Sequence, residues 1–259
     1  MLKMTPRSLP AILLALLLPG LTSFADAASV DATDKRVFQL NVSPNGYPPY
    51  LIISDDNHYS GIVWDVVSRI AGELNYRVEA KKIPRKRVDQ MLLDGYIDGT
   101  PRAIQWTDDP ERFVFTQPIV RIREVFFYPA QSDFRYQRPE DLHTQTIITH
   151  LGYHYPELAE VFESGKVRRF DVANDRDMFS FLILGDSFDA AIADLSVGQW
   201  IIRQNGWRGQ LKTTTTSISD YGYRLMLRRD WQNFAEAFDQ KLAQLKASGE
   251  LERILDHYR

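Results

Sequence analysis

Apolar positions in this chain fall into three kinds of pattern. The first is one unbroken run at 9–21 (LPAILLALLLPGL), with Lys3 and Arg7 before it and Ala25-Asp26-Ala27 after it. A positive start, a short apolar core and small residues at the cleavage positions read as a secretory signal peptide over 1–27. The core is shorter than the roughly 20 residues of a membrane span, and a retained anchor helix is the alternative. The second kind is the short alternating or continuous run, which predicts strands at 37–42, 76–80, 96–99, 125–128, 146–149, 167–172, 190–193 and 223–227. The third has helical spacing. Ile62, Val63, Val66, Val67, Ile70 and Leu74 stripe a helix after Gly61, and Phe234, Phe238, Leu242 and Leu245 stripe a long late one. Shorter helices are expected at 88–93, ended by Gly95, and at 156–163, 178–184 and 251–258.

The elements of the first hundred residues run β-α-β-α-β. That order argues for an α/β fold with a mainly parallel sheet covered by helices. A second β-α series follows the polar stretch 131–141, and the polar run 213–217 marks the return. Two such series predict two lobes with a cleft between them. Lobe one is expected from 35–128 plus 219–259 and lobe two from 129–218, with the hinge at 125–130 and 216–223.

Composition narrows the chemistry. The formal net charge is −3 and no basic run occurs, so nucleic acid is a poor partner. There is no cysteine, which excludes disulfides and a lipid-modified N-terminal cysteine, so stability must come from an ordinary core. The 44% apolar and 12% aromatic content supports such a core. Asp55-Asp56-Asn57 lacks the remaining spacing of a calcium loop. No G-x-S-x-G, zinc spacing or phosphate loop occurs, and no metal or cofactor is expected.

Five short motifs then stand in order along the chain. They are Tyr47-Pro48-Pro49-Tyr50 with Gly61 and Asp65; Leu92…Gly95…Ile97-Asp98; Thr107…Arg112-Phe113-Val114-Phe115-Thr116-Gln117-Pro118; Asp189-Ala190-Ala191-Ile192-Ala193-Asp194; and Leu242…Leu245…Gly249…Ile254. Together they resemble the family 3 periplasmic solute-binding proteins of ABC importers, the polar-amino-acid type, over nearly the whole chain after the leader. The resemblance implies the two-lobed type II binding-protein fold with its ligand in the cleft. It implies no catalysis, a periplasmic location, a membrane permease as partner and a monomer. A secreted dehydratase-like enzyme and a ligand-presenting sensory protein are the alternatives on the same fold. Two departures concern the ligand. The spacing from Thr107 to Arg112 exceeds the family's T-x-x-R by two residues, and Gly152 is followed by Tyr153 and His154 instead of Ser or Thr.

In the resemblance Arg112 holds a ligand carboxylate with its planar fork, and Asp194 accepts the ammonium. The competing structural roles are an ion pair of Arg112 with Glu111 or Asp109, and a strand-end cap at Asp194. Tyr47 either stacks on the ligand or only packs, while Tyr50 reads as core. Gly152 opens a loop before a helix, where backbone N–H groups can receive an anion, and Tyr153 and His154 line that side. Arg85 and Arg102 are extra positive charges near the cleft and suit a ligand with further negative or polar groups. If the longer loop displaces Arg112, Arg102 becomes the carboxylate holder.

Overall fold

The computed structural model describes Met1 and residues 35–54, 58–185 and 187–258. The expected leader at 1–27 and Asp55-Asp56-Asn57 lie outside the described residues. From Lys35 onward the chain is one compact unit. It opens with β1 (Arg36–Val42), a short hairpin β2 (Ile52–Ile53) and β3 (Tyr59–Ser60), and α1 (Ile62–Glu73). Then come β4 (Tyr76–Lys82), α2 (Val88–Leu93), β5 (Gly99–Arg102), β6 (Val114–Phe115) and the long β7 (Val120–Pro129). The middle of the chain gives β8 (Thr146–His150), α3 (Ala159–Glu163), β9 (Arg168–Val172), α4 (Asp175–Leu184), β10 (Ala190–Asp194) and α5 (Leu195–Gln204). It returns through β11 (Leu211–Thr213) and β12 (Ser219–Leu227) to α6 (Gln232–Ala247) and α7 (Glu250–Tyr258).

One curled sheet carries both series, in the order β4-β1-β5-β12-β7-β10-β8-β9. β1 pairs in parallel with β4 and β5, and β8 pairs in parallel with β9 and β10. Between the two parallel sets, β12 and β7 run antiparallel to each other and to their outer neighbours. These two strands are the crossings between the sets, and the segments expected as the hinge, 125–130 and 216–223, overlap them in part. The first set is covered by α1, α6 and α7, whose apolar stripes meet Phe38 and Leu40 of β1 in the main core. The second set is covered by α4 and α5 on one face and by α3 on the other.

Gly61 shows why α1 starts where it does. Its φ is 112°, and a Cβ there would lie 2.7 Å from the Tyr50 carbonyl oxygen, so only glycine fits. Its N–H donates to the Tyr258 hydroxyl, which donates in turn to the Asp65 carboxylate. The last helix is thereby tied to the first turn of the first helix.

The structure adds a helix that the apolar pattern did not predict. α5 follows β10 directly, buries Val197 and Ile201, and seats Gly198 so closely on Phe127 that an added Cβ would clash at 2.2 Å. α4 also starts earlier than expected, at Asp175 instead of residue 178. Asn174 caps it, its side chain accepting from the Asp177 N–H.

Candidate functional site

A cavity of about 890 Å³ opens between the two parallel sets. Its walls are the loop after β1, the segment from Pro84 to Val88, the end of β5, the loop after β8 and the first turn of α4. Loops at the carboxyl ends of parallel strands are the expected place for a ligand in such sheets. Tyr47, Arg85, Arg102, Gly152, Tyr153 and His154 all line it.

Arg112 and Asp194 do not. Arg112 closes a three-residue turn, Pro110–Arg112, and its half-exposed guanidinium faces Asp109 at 3.7 Å. The spacing beyond Thr107 is taken up by this turn. The competing role of Arg112, pairing with Asp109, is the one its position shows. Asp194 is buried, and its carboxylate accepts four hydrogen bonds. Oδ1 accepts from the Tyr50 hydroxyl at 2.9 Å and from the N–H groups of Ser196 and Val197 at 2.9 and 3.0 Å. Oδ2 accepts from the Arg123 N–H at 2.9 Å. Asp194 is the N-cap of α5 and bolts that helix to β7 and to Tyr50.

The wall contributed by the first half of the chain is rich in hydrogen-bond donors. Arg85 donates to the Trp106 carbonyl at 2.8 Å and has no carboxylate within 4 Å among the described residues. Burial pushes its guanidinium below the usual value, and Asp89 opposes this. Arg102 is 2% exposed. One of its guanidinium nitrogens, Nη2, donates to Asp89 at 2.7 Å, while Nη1 is buried with no partner. The indole Nε1 of Trp106 is likewise buried without one, and Trp106 also lines the cavity. Buried donors of this kind are rare because each one left unpaired is costly.

The opposite wall differs in sign. Asp175, the first helical residue of α4, lines the cavity and makes no hydrogen bond or ion pair with any described residue. Burial pushes its carboxyl up, against the pull of His150. The His150 ring stacks on Tyr153 at 4.1 Å. Aromatic surface from Tyr47, Trp106, Tyr153, Trp200 and Tyr223 completes the lining. Asp175 was not singled out in the sequence. The signal that marks it is Asn174 three residues before Asp177, a helix start that puts Asp175 in the first turn.

Positive donors on one wall and a bare carboxylate on the other suit a small polar ligand of mixed charge. From residue 40 to residue 259 the sequence fits the model of the bacterial extracellular solute-binding proteins, family 3. The chain belongs to that family. No curated protein matches it significantly. Among solved structures, an arginine third transport system periplasmic binding protein from Legionella pneumophila is 18% identical, with 87% of this chain and 100% of that chain covered at TM-score 0.71. A histidine kinase sensor domain with similarity to periplasmic binding proteins is 22% identical, with 86% and 96% covered at TM-score 0.74. An ancestral amino-acid-binding protein, a precursor of cyclohexadienyl dehydratase, is 16% identical, with 86% and 95% covered at TM-score 0.71. At these identities the likeness is one of fold. This family 3 protein has no helix, among the described residues, long and apolar enough to cross a membrane.

Proposed function

We propose that the protein binds a small amino-acid-like solute in the cavity, holds its carboxylate on Arg85 and Arg102, and delivers it in the periplasm, as a monomer, to the permease of an ABC importer. Membership of the solute-binding family supports capture of a solute, and several neighbours in fold are named for binding arginine or another amino acid. The observation that carries the carboxylate site is the set of donors on one wall. Arg85 and Arg102 both line the cavity, and Arg85 has no carboxylate within 4 Å among the described residues, Asp89 acting on it only at longer range. A carboxylate accepts several hydrogen bonds at once and would pair with the guanidinium of Arg85, which lines the cavity. Closure about the crossings β7 and β12 would remove water from these contacts and strengthen them.

The test is calorimetry of the secreted protein against the twenty standard amino acids. Binding of at least one is expected, with Arg85→Ala weakening it by about 2–5 kcal/mol, the usual effect of truncating one partner of a buried charge pair. Failure of every amino acid to bind, or an unchanged affinity in Arg85→Ala, would overturn the reading.

A further inference from the structure

We infer that Arg169, which does not itself line the cavity, is the positioning residue of the cavity wall formed by the loop after β8, because its guanidinium ties the Tyr153 carbonyl to β8 and β9. This inference rests on the cleft reading above and deepens it.

The loop lines the cavity at every position from 150 to 154. At its tip, Gly152 has a φ of 80°, and a Cβ there would lie 3.7 Å from Cε of Lys86 on the opposite wall. The place of the loop therefore sets the width of the cavity at that point. Little within the loop holds it. The Tyr153 N–H donates to the His150 carbonyl at 3.1 Å, and the His150 N–H donates to the Tyr155 hydroxyl at 3.1 Å. Among the described residues, two hydrogen bonds reach residues 151–154 from outside, and both come from β9. The Leu151 N–H donates to the Val172 carbonyl at 2.8 Å, and Arg169 Nη2 donates to the Tyr153 carbonyl at 3.1 Å. The second bond is the one that fixes the tip.

The surroundings of Arg169 aim it there. In the parallel pair of β8 and β9, Arg169 stands beside Ile147 and Asp171 beside Thr149, so Arg169, Asp171 and Thr149 share one face. Arg169 Nε donates to Asp171 at 2.9 Å and to the hydroxyl of the buried Thr149 at 3.0 Å, and that hydroxyl donates to Asp171. The guanidinium also lies over the rings of Tyr155 and Phe162, 5.4 and 5.5 Å from their centroids. One edge of the planar fork is thus fixed to both strands while the nitrogen beyond it reaches Tyr153. The ion pair with Asp171 is about a third exposed, so it adds little stability and acts by giving the fork its direction. The sheet has no need of the bond to Tyr153, since β8 and β9 already pair over five positions. The cavity does, because the Tyr153 ring stacks on His150 and both line it. A lysine offers a single point of attachment where arginine offers a fork, and so cannot hold Asp171 and Tyr153 together.

The experiment compares wild type, Arg169→Ala and Arg169→Lys in two ways: hydrogen exchange of the free protein, and stopped-flow binding of the tightest-binding standard amino acid. In both variants the amides of Leu151 and Tyr153 should exchange about tenfold faster, while those of β8 and β9 keep their wild-type rates. A wall in place only part of the time lowers the apparent affinity by that fraction, so affinity should fall about three- to tenfold, and the loss should lie in the association rate. A residue that touched the ligand would show itself in the dissociation rate instead. Unchanged exchange at Leu151 and Tyr153, unchanged affinity, a loss confined to dissociation, or full recovery in Arg169→Lys each overturn the assignment. Faster exchange throughout β8 and β9 overturns it too, since Arg169 would then hold the sheet and not the loop. The exchange measurement needs no ligand. If wild type binds no amino acid, the cleft reading falls, and the hold of Arg169 on the loop is still decided by exchange.

Discussion

At the scale of single residues, the same side-chain types do different work according to what surrounds them. Arg112 and Arg85 are both arginines near the cleft in sequence, yet one is paired at the surface and the other lines a cavity with no carboxylate within 4 Å among the described residues. Exposed ion pairs contribute little. Arg112→Ala should therefore leave ligand affinity within about twofold of wild type, whereas Arg85→Ala should not. Calorimetry on the two variants side by side decides it, and a large loss at Arg112 would return that residue to the site. Much of this was legible in the chain. Tyr47, Arg85, Arg102, Gly152, Tyr153 and His154, which their loop positions put near a cleft, line the cavity. Arg112 was misleading because a motif fixes order along the chain and not direction in space. The turn that absorbs the extra residues swings its guanidinium towards Asp109. Asp175 was invisible because its neighbours Arg176 and Asp177 give it the look of a solvated charged stretch.

Among the elements, the helix α5 and the strand β7 have the most to lose from a single change. Asp194→Ala would remove the N-cap of α5 and leave the Tyr50 hydroxyl and the Arg123 N–H unpaired. A cap is worth about 0.5–2 kcal/mol, and an orphaned buried donor adds about 1–3 kcal/mol. At about 2–4 °C per kcal/mol for a chain of this size, the melting point should fall by roughly 3–20 °C. Calorimetric melting checks this, and a shift under two degrees would contradict the capping role. β7 carries a second consequence of burial. Glu124 lies opposite Ser219 of β12, accepts from its hydroxyl at 2.7 Å and is 5% exposed. Burial pushes its carboxyl up from 4.5 to about 7. A carboxyl raised in the folded state binds its proton more tightly there than when unfolded. Its effect is thus to lower stability as pH rises from about 4.5 to about 7, by about 3 kcal/mol, with no further change above. Glu124→Gln keeps the shape and removes this penalty, so its advantage over wild type in urea should grow across that window. An advantage independent of pH would show that Glu124 titrates normally. The apolar pattern anticipated α2 to the residue but passed over α5. Its buried face is short, Val197, Gly198 and Ile201, and one member is a glycine that packs by having no side chain.

Seen as a whole molecule, the protein is two parallel sets of strands sewn together by two antiparallel crossings. The two β-α series and the return near residue 213 gave this in outline. The pairing of β7 with β12 was not legible, because nothing in a strand's own sequence names its neighbour. A ligand that binds the folded protein alone stabilises it by mass action. At a hundred times its Kd the gain is about 2.7 kcal/mol, or roughly 5–11 °C in melting point at the slope above. A thermal-shift screen should therefore single out the true solute from its analogues, and a panel with no member above about two degrees would argue against a small amino-acid-like ligand.

The placement of β12 also puts a clock into the fold. It fills the gap between β5 and β7, yet its residues, 219–227, are made long after β5, residues 99–102. A chain emerging from its N-terminal end can pair β8, β9 and β10, which are close in sequence, while β5 still waits with an open edge. Open edges invite pairing with other chains. Vectorial synthesis should therefore pass through a stage at which the later half of the sheet is formed and the earlier half is not. A chain stopped at residue 218 should protect the amides of β8 and β10 from hydrogen exchange and leave those of β1 and β5 fast. Uniform protection would mean that the first strands need no partner from the far end of the chain. If the order holds, the vulnerable period in this protein's life is the interval before its central strand arrives.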